Sequence, residues 1–320
     1  MTSKTVLLIF ALVLSFHDPL TGQTSFSLAG QPGAATRMGF GARGIGMGNA
    51  MSALTSGETP GYYNPALAPF QAIPSGHAAF GFLPLDRNLN TLNYSQKLPP
   101  TAGISFGIIN AGVGDLEGRN RDGMVTETYS TSENVFLLSF GTKVDDNTAL
   151  GISTKIFYYS LFEGVASTTV GFDIGFLTSI TEELTLGIVI QDINSKYKWD
   201  TSSLYGQSGN TTIEKFPLRR KLALAYSVKP FEAIVTGEVE WVGSVVLARL
   251  GLEKELLEGV AVRGGVDQIS FKGDIDSKPS LGFSLQTPIA LWKPSVHYAY
   301  VIEPYAPGGI HILSIKLSFD

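Results

Sequence analysis

From about His77 to Phe319 the chain is a succession of short segments in which apolar and polar residues alternate. The last, Ile312-Leu313-Ser314-Ile315-Lys316-Leu317-Ser318-Phe319, sets Leu313, Ile315, Leu317 and Phe319 on one face and Ser314, Lys316 and Ser318 on the other. Successive strand side chains point to opposite sides, so each segment has one apolar and one wet face. Fourteen such segments can be read, at 77–84, 90–97, 102–112, 133–142, 147–159, 167–178, 183–193, 218–228, 231–241, 245–254, 258–267, 278–286, 291–301 and 310–319. An even number of strands of about ten residues is what a transmembrane β-barrel requires. The expected fold is all-β: a 14-stranded antiparallel transmembrane barrel preceded by a short N-terminal hatch or plug.

Alternation alone does not separate this barrel from a soluble β-sandwich, whose strands also have one apolar face. Connection lengths give an independent test. In an outer-membrane barrel both termini are periplasmic, so the connections after even-numbered strands are tight turns and those after odd-numbered strands run long. The even connections are short here: Leu98–Thr101, Lys143–Asp146, Ser179–Glu182, Lys229-Pro230, Glu255–Leu257 and Thr287–Ala290. The two long ones, 113–132 and 194–217, both follow odd strands. The polar faces carry Glu238, Glu240, Arg249, Glu253, Arg263 and Asp267 on three neighbouring strands, where opposite charges can pair inside a lumen. On the lipid face a mid-membrane Arg or Lys would cost about 2–4 kcal/mol. Tyr158, Trp241, Trp292, Tyr298, Tyr300 and Phe319 lie outward near strand ends, as interfacial girdles do.

Composition agrees. Charged residues are only 16%, against about 25% in soluble domains, yet the mean hydropathy of +0.16 is too low for a bundle of membrane helices. The one long apolar run, Val6–Phe16, follows Lys4 and is shorter than a bilayer span. It reads as the core of a secretory signal cleaved near Gly22 or Gln23, with Leu20 a bulky residue at the −3 position. A net charge of −5 without a basic stripe excludes a nucleic-acid partner. With no cysteine and four histidines, a disulfide framework and a histidine-rich metal site are not expected, and no cofactor is implied. The expected organisation is a signal peptide at 1–22, a hatch at 23–74 and the barrel at 75–320, in a bacterial outer membrane with lipid as its solvent.

The densest motif precedes the barrel: Arg37-Met38-Gly39-Phe40-Gly41-Ala42-Arg43-Gly44-Ile45-Gly46-Met47-Gly48-Asn49-Ala50, then Tyr62-Tyr63-Asn64-Pro65-Ala66-Leu67. Gly39, Gly41 and Gly44 match a dinucleotide fingerprint, but no strand precedes them and no βαβ unit surrounds them. Small residues this close let a segment fold tightly in a confined space, with a helical turn expected near Asn49–Leu54 and a redirecting turn at Asn64-Pro65.

These motifs, with Gly151–Lys155, Gly171–Gly175, the Trp199 region, Phe216–Arg220 and Arg263-Gly264-Gly265, resemble the PorV/PorQ family of FadL-like outer-membrane barrels. The resemblance runs through nearly the whole mature chain. It departs at the end, where Asp320 follows the aromatic Phe319 on which such barrels usually finish. It implies a non-enzymatic accessory of protein export of the type IX secretion kind, with secretion components or exported cargo as partners at the outer loops. The wider FadL-like resemblance implies a different role, uptake of a hydrophobic small molecule. The hatch residues it would carry over for gating are Gly46, Gly48, Asn49, Asn64, Pro65 and Ala66.

Other candidates are weaker. Asp115, Glu117, Asn120 and Asp122 put oxygen ligands in the 113–132 connection, but without EF-hand spacing they read as a solvated loop. Lys196, Tyr197, Lys198 and Trp199 open the second long connection and suit either a partner-binding surface or an anchor at the outer interface. His297 is expected to face inward and His311 to lie near the outer start of the last strand. No nucleophile motif accompanies them.

Overall fold

The computed structural model describes residues 28–55, 60–273, 275–287 and 293–319. The expected signal peptide at 1–22 and Trp292 lie outside them. Fourteen strands close into one antiparallel barrel. In chain order the strands are β1 Ser75–Leu83, β2 Arg87–Leu98, β3 Ala102–Arg119, β4 Val125–Lys143, β5 Thr148–Phe162, β6 Val165–Ser179, β7 Leu184–Ile193, β8 Lys196–Asp200, β9 Thr211–Lys215, β10 Arg219–Val228, β11 Ala233–Val242, β12 Val245–Leu257, β13 Val260–Ser270, β14 Lys278–Gln286, β15 Ser295–Val301 and β16 Ile310–Ser318. Each wall strand pairs with its neighbours along the chain, except that β7 pairs directly with β10, and β1 pairs with β16 to close the ring. The hairpin β8–β9 stands apart from the wall as its own two-stranded sheet.

Burial alternates along the strands as the sequence pattern requires. On β16 Ile312 and Ser314 are buried while Leu313 and Ile315 are exposed. The exposed side is apolar nearly all the way round: Phe80, Leu92, Phe106, Leu138, Ile152, Ile174, Leu224, Leu250, Leu281 and Val296 all point outward. In water such a belt would be far larger than the few hundred Å² a soluble monomer exposes, whereas in a bilayer it is the required outer surface. The barrel is therefore a membrane-spanning one.

Three expectations are corrected. The 113–132 connection is not a loop. β3 and β4 continue as a two-stranded extension, with Leu116 opposite Tyr129, and only 120–124 turns. The alternation seen up to residue 112 ends there because both faces of the extension are in contact with water, which leaves no apolar pattern to read. The 194–217 connection is likewise ordered, as β8–β9 with a short helix at Ser202–Tyr205. The first α-helix of the plug is at Gly41–Gly46, after a 3-10 turn at Ala35–Arg37, and not at Asn49–Leu54, which forms successive turns.

The N-terminal segment fills the lower lumen. Its helix packs against β13–β16 and β1, and a 3-10 helix at Pro65–Phe70 packs against β2–β6. The wall is shaped to receive it. Gly103, Gly141, Gly151 and Gly175 stand directly opposite one another across β3–β6. Two residues nearer the outer end, Ser75, Ser95, Ser105, Ser139, Ser153 and Asp173 form a second row across β1–β6. Across β12 and β13, Gly251 faces Gly265.

Candidate functional site

The glycine rows are where hatch backbone meets wall backbone. A side chain at Gly103 would overlap the Ala68 carbonyl, and one at Gly151 would meet Ala66 N at 2.5 Å and Pro65 O at 2.6 Å. On the other side of the lumen, a side chain at Gly251 would lie 2.6 Å from Met47 O, and one at Gly265 would overlap Gly48. Gly48 has φ +59° and its own Cβ would come within 2.6 Å of Val266 N, so both conformation and space demand glycine. The two motifs singled out in the sequence thus each dock on a wall stretch that has no side chains.

Within the hatch the motifs are tied to each other. The Tyr63 hydroxyl donates to Asn49 Oδ1 at 2.8 Å and accepts from Phe40 N at 3.1 Å. Asn64 caps the Pro65–Phe70 turn by accepting from Ala66 N at 2.9 Å. Its Nδ2 donates to Ser52 O at 2.8 Å and to Phe176 O, on the wall, at 3.2 Å. Tyr62 accepts from Gly39 N and donates to Thr36 O, and its own carbonyl accepts from Gln191 Nε2 at 2.7 Å. Burial pushes the Tyr62 phenol up to about 12 and the Tyr63 phenol well above its ordinary value, so both stay neutral donors at physiological pH.

The six expected lumen charges all face inward, are buried and meet one another. Arg249 donates to Asp267 at 2.6 Å and Glu238 at 3.1 Å and also pairs with Glu240. Arg263 donates to Glu253 at 2.7 Å. Glu253 also takes Arg43 of the hatch in a two-point contact, 2.7 and 2.9 Å, and Asp267 accepts from Asn49 Nδ2 at 2.8 Å. The ionic cluster therefore holds the hatch as well as itself. It extends to residues the sequence reading passed over as a group. Lys155 lies between Asp173 at 2.9 Å and Asp192 at 2.7 Å, Arg219 bridges Asp192 and Glu240, and Lys221 reaches Glu238 at 3.2 Å. Inward parity would have found Lys155, Asp173 and Lys221. Asp192, with φ 66°, sits where β7 leaves the ladder, and no periodicity marks it.

The Lys196–Trp199 group divides. Tyr197 and Trp199 are buried, packed against Tyr159 and Phe216 with ring centroids 4.7–5.3 Å apart. The Tyr197 hydroxyl donates to Glu133, and Trp199 Nε1 donates to Glu214 at 3.0 Å. Lys198 is exposed and Lys196 half-buried on the opposite face. These aromatics are thus internal packing rather than an exposed anchor or docking surface, because the hairpin turns its Tyr-Trp face down onto β5. His297 is buried as expected, beside Ser295, and His311 is exposed near the start of β16 against Tyr298. Among the described residues no three His, Cys, Asp or Glu side chains converge into a metal-binding group.

Above the hatch is a chamber of about 760 Å³. Ala34, Ala35, Arg37, Met38, Ile45 and Asn49 of the hatch line it together with Leu89, Ala111, Val242, Leu247, Val301 and Ile312 of the wall. Its cations are Arg37, Arg87, Arg249 and Lys278, and its anions Glu133, Glu240, Asp267 and Glu303. Each cation is engaged by the protein: Arg37 by the Pro32 and Gln31 carbonyls, Arg87 by the Pro84 carbonyl, Lys278 by Glu303 at 2.9 Å, and Arg249 as above.

The closed 14-stranded barrel with its N-terminal segment inside the lumen is a FadL-like fold. Solved structures agree in fold. The toluene transporter TbuX of Ralstonia pickettii aligns over 88% of this chain and 99% of its own, at TM-score 0.62 and 12% identity. The toluene transporter TodX of Pseudomonas putida aligns over 88% and 96% at TM-score 0.59 and 12% identity, and the monoaromatic hydrocarbon channel CymD over the same shares at 0.58 and 12%. No family model matches the chain, and no curated protein matches its sequence.

Proposed function

We propose that this chain is an outer-membrane channel for uncharged hydrophobic small molecules, with the segment around Gly46–Asn49 and Asn64–Ala66 as its gate. The chamber carries the reading. At about 760 Å³ it is the size of a small-molecule site, and apolar groups supply most of its lining. Its four cations and four anions balance, so an entering carboxylate meets no net positive charge, and at Arg249 or Lys278 it would have to displace the carboxylate already paired there. An uncharged molecule displaces nothing. The fold likeness to two toluene transporters and a hydrocarbon channel supports the same reading.

The test compares a neutral aromatic hydrocarbon with its carboxylate. Purified barrel in nanodiscs is expected to bind toluene and not benzoate, and Ala111→Trp, which fills the chamber from β3, should weaken toluene binding about tenfold or more. Equal binding of both probes, or unchanged binding by Ala111→Trp, would refute it.

The export-accessory role implied by the PorV/PorQ resemblance keeps one observation in its favour. The β3–β4 extension exposes Leu116, Met124 and Val125 beyond the wall. Its second expected contact, Lys196–Trp199, is half turned inward, and no comparison supports secretion partners. Recovery of exported proteins with the wild-type barrel, lost on trimming 116–128, would restore that role.

A further inference from the structure

The outer face of the barrel has a defect of its own. On the lipid side of β11–β15 lies a groove of about 650 Å³, lined by Leu250, Leu252, Val266, Leu281, Tyr300 and Ile302 among others, with almost no polar surface. Two local features create it. Gly264 stands on the outward face without a side chain, and the nearest atom to a Cβ there is Leu281 Cδ2 at 3.6 Å, so a lane is left open where other strands carry a branched residue. The β12–β13 ladder is also interrupted between Ala248 and Leu250, where Gln268 adopts φ 59° and β13 bulges.

We propose that this groove binds one acyl chain of a membrane lipid. Its position selects the occupant. It opens among Leu250, Leu252 and Leu281, 50–69% exposed, in the apolar belt where acyl chains are the only solvent. It runs from Val235, near the inner end of β11, to Tyr300 and Ile302, where β15 ends on the outer side. An almost wholly apolar lining excludes a headgroup, and a void left in a lipid-facing wall forfeits dispersion contacts that one ordered chain restores. The groove also backs onto the hatch: Gly251 and Gly265, on the same strands, are the residues against which Met47 and Gly48 rest. A chain seated there braces the wall behind that contact.

Native mass spectrometry of the full-length barrel, extracted in mild detergent from its own outer membrane, tests this. The wild type is expected to retain one lipid adduct whose mass identifies a membrane lipid. Gly264→Leu, which fills the lane, should lower the adduct fraction about tenfold. Leu281→Phe is a second filling variant with the same expectation. Leu138→Phe, on the distant β4, should leave the adduct unchanged, and heat-modifiable gel migration verifies folding of each. A wild type without adduct, or an adduct that survives both filling variants in folded protein, overturns the proposal. Because the readout is lipid on the outer wall, toluene binding in the chamber succeeds or fails independently of it.

Discussion

The hatch is held on two sides of the lumen by different physics. Against β3–β6 its Gly61–Phe70 segment lies on a row of glycines bordered by serines and, on β6, Asp173, and the attachment is backbone contact with hydrogen bonds such as Ser153 Oγ to Gly61 O at 3.1 Å. Against β11–β13 its Arg43–Ser52 segment lies among buried ion pairs, with Arg43 on Glu253 and Asn49 on Asp267. Both sides share the absence of side chains at the point of closest approach. Only on the second does a charged side chain of the hatch itself enter the pairing, Arg43 on Glu253. The lesson is that close fit is set by glycine on both walls, whereas the strength of attachment is concentrated on one.

That contrast can be broken in stages. The largest effect is expected from Gly151→Leu or Gly265→Leu, since neither site has room for a side chain without moving hatch backbone. Either variant should expel the hatch, seen as rapid proteolysis of residues 28–70 in an otherwise folded barrel. Protection equal to wild type at either position would show that the two surfaces are not in close contact.

Next comes Glu253→Ala, which removes the carboxylate shared by Arg43 and Arg263. Breaking a buried pair from one side costs about 3–5 kcal/mol, so hydrogen exchange in 41–49 should rise by several orders of magnitude while 64–70 changes little. Uniform exchange across both segments would mean that the hatch releases as one body and that the contrast between its sides is false.

Alkaline pH offers a milder perturbation. Tyr62 and Tyr63 have their phenols raised by burial, Tyr62 to about 12. A group raised in the folded state contributes stability fully below its unfolded value, and this is lost as pH climbs from about 10 toward the folded value. Tyrosinate absorbance and hatch proteolysis should therefore rise together over that interval. Tyr62→Phe with Tyr63→Phe should remove the pH dependence. The smallest effect is expected from Ser139→Ala on the β3–β6 side. It deletes the 2.6 Å contact with Ser153 but leaves the Ser153–Gly61 bond, a loss of about 1 kcal/mol.

The barrel was legible because strand periodicity and connection length are both local properties of the chain. The strand parity that placed Glu238, Arg249 and Glu253 inward also holds for Lys155, Asp173 and Lys221, which could have been grouped with them. What sequence could not give is lateral register. Gly103, Gly141, Gly151 and Gly175 are far apart in the chain and acquire meaning only when four strands align them. Hairpin β8–β9 is hard to read from sequence for a related reason. Its Tyr197-Trp199 alternation is a genuine strand signal, but the surface that buries it, Tyr159 and Phe216, belongs to other elements. The first hatch helix escaped because Gly41–Gly46 carries three glycines, poor helix formers that only close packing against Ala299 and Gly282 sustains.

If the chain is a hydrocarbon channel gated by its hatch, as proposed, the hatch must move for a hydrophobic molecule to leave the chamber. The chain has no cysteine, so a single engineered bridge can be read without background. Gly46 and Ala299 are placed for one, with a Cβ at Gly46 falling 3.4 Å from Ala299 Cβ, close to the spacing a disulfide needs. Uptake of radiolabelled toluene into proteoliposomes bearing Gly46→Cys/Ala299→Cys, measured oxidised and then reduced, is the direct test. The account predicts uptake near the protein-free level when oxidised and recovery on reduction. Equal uptake in both states would contradict it.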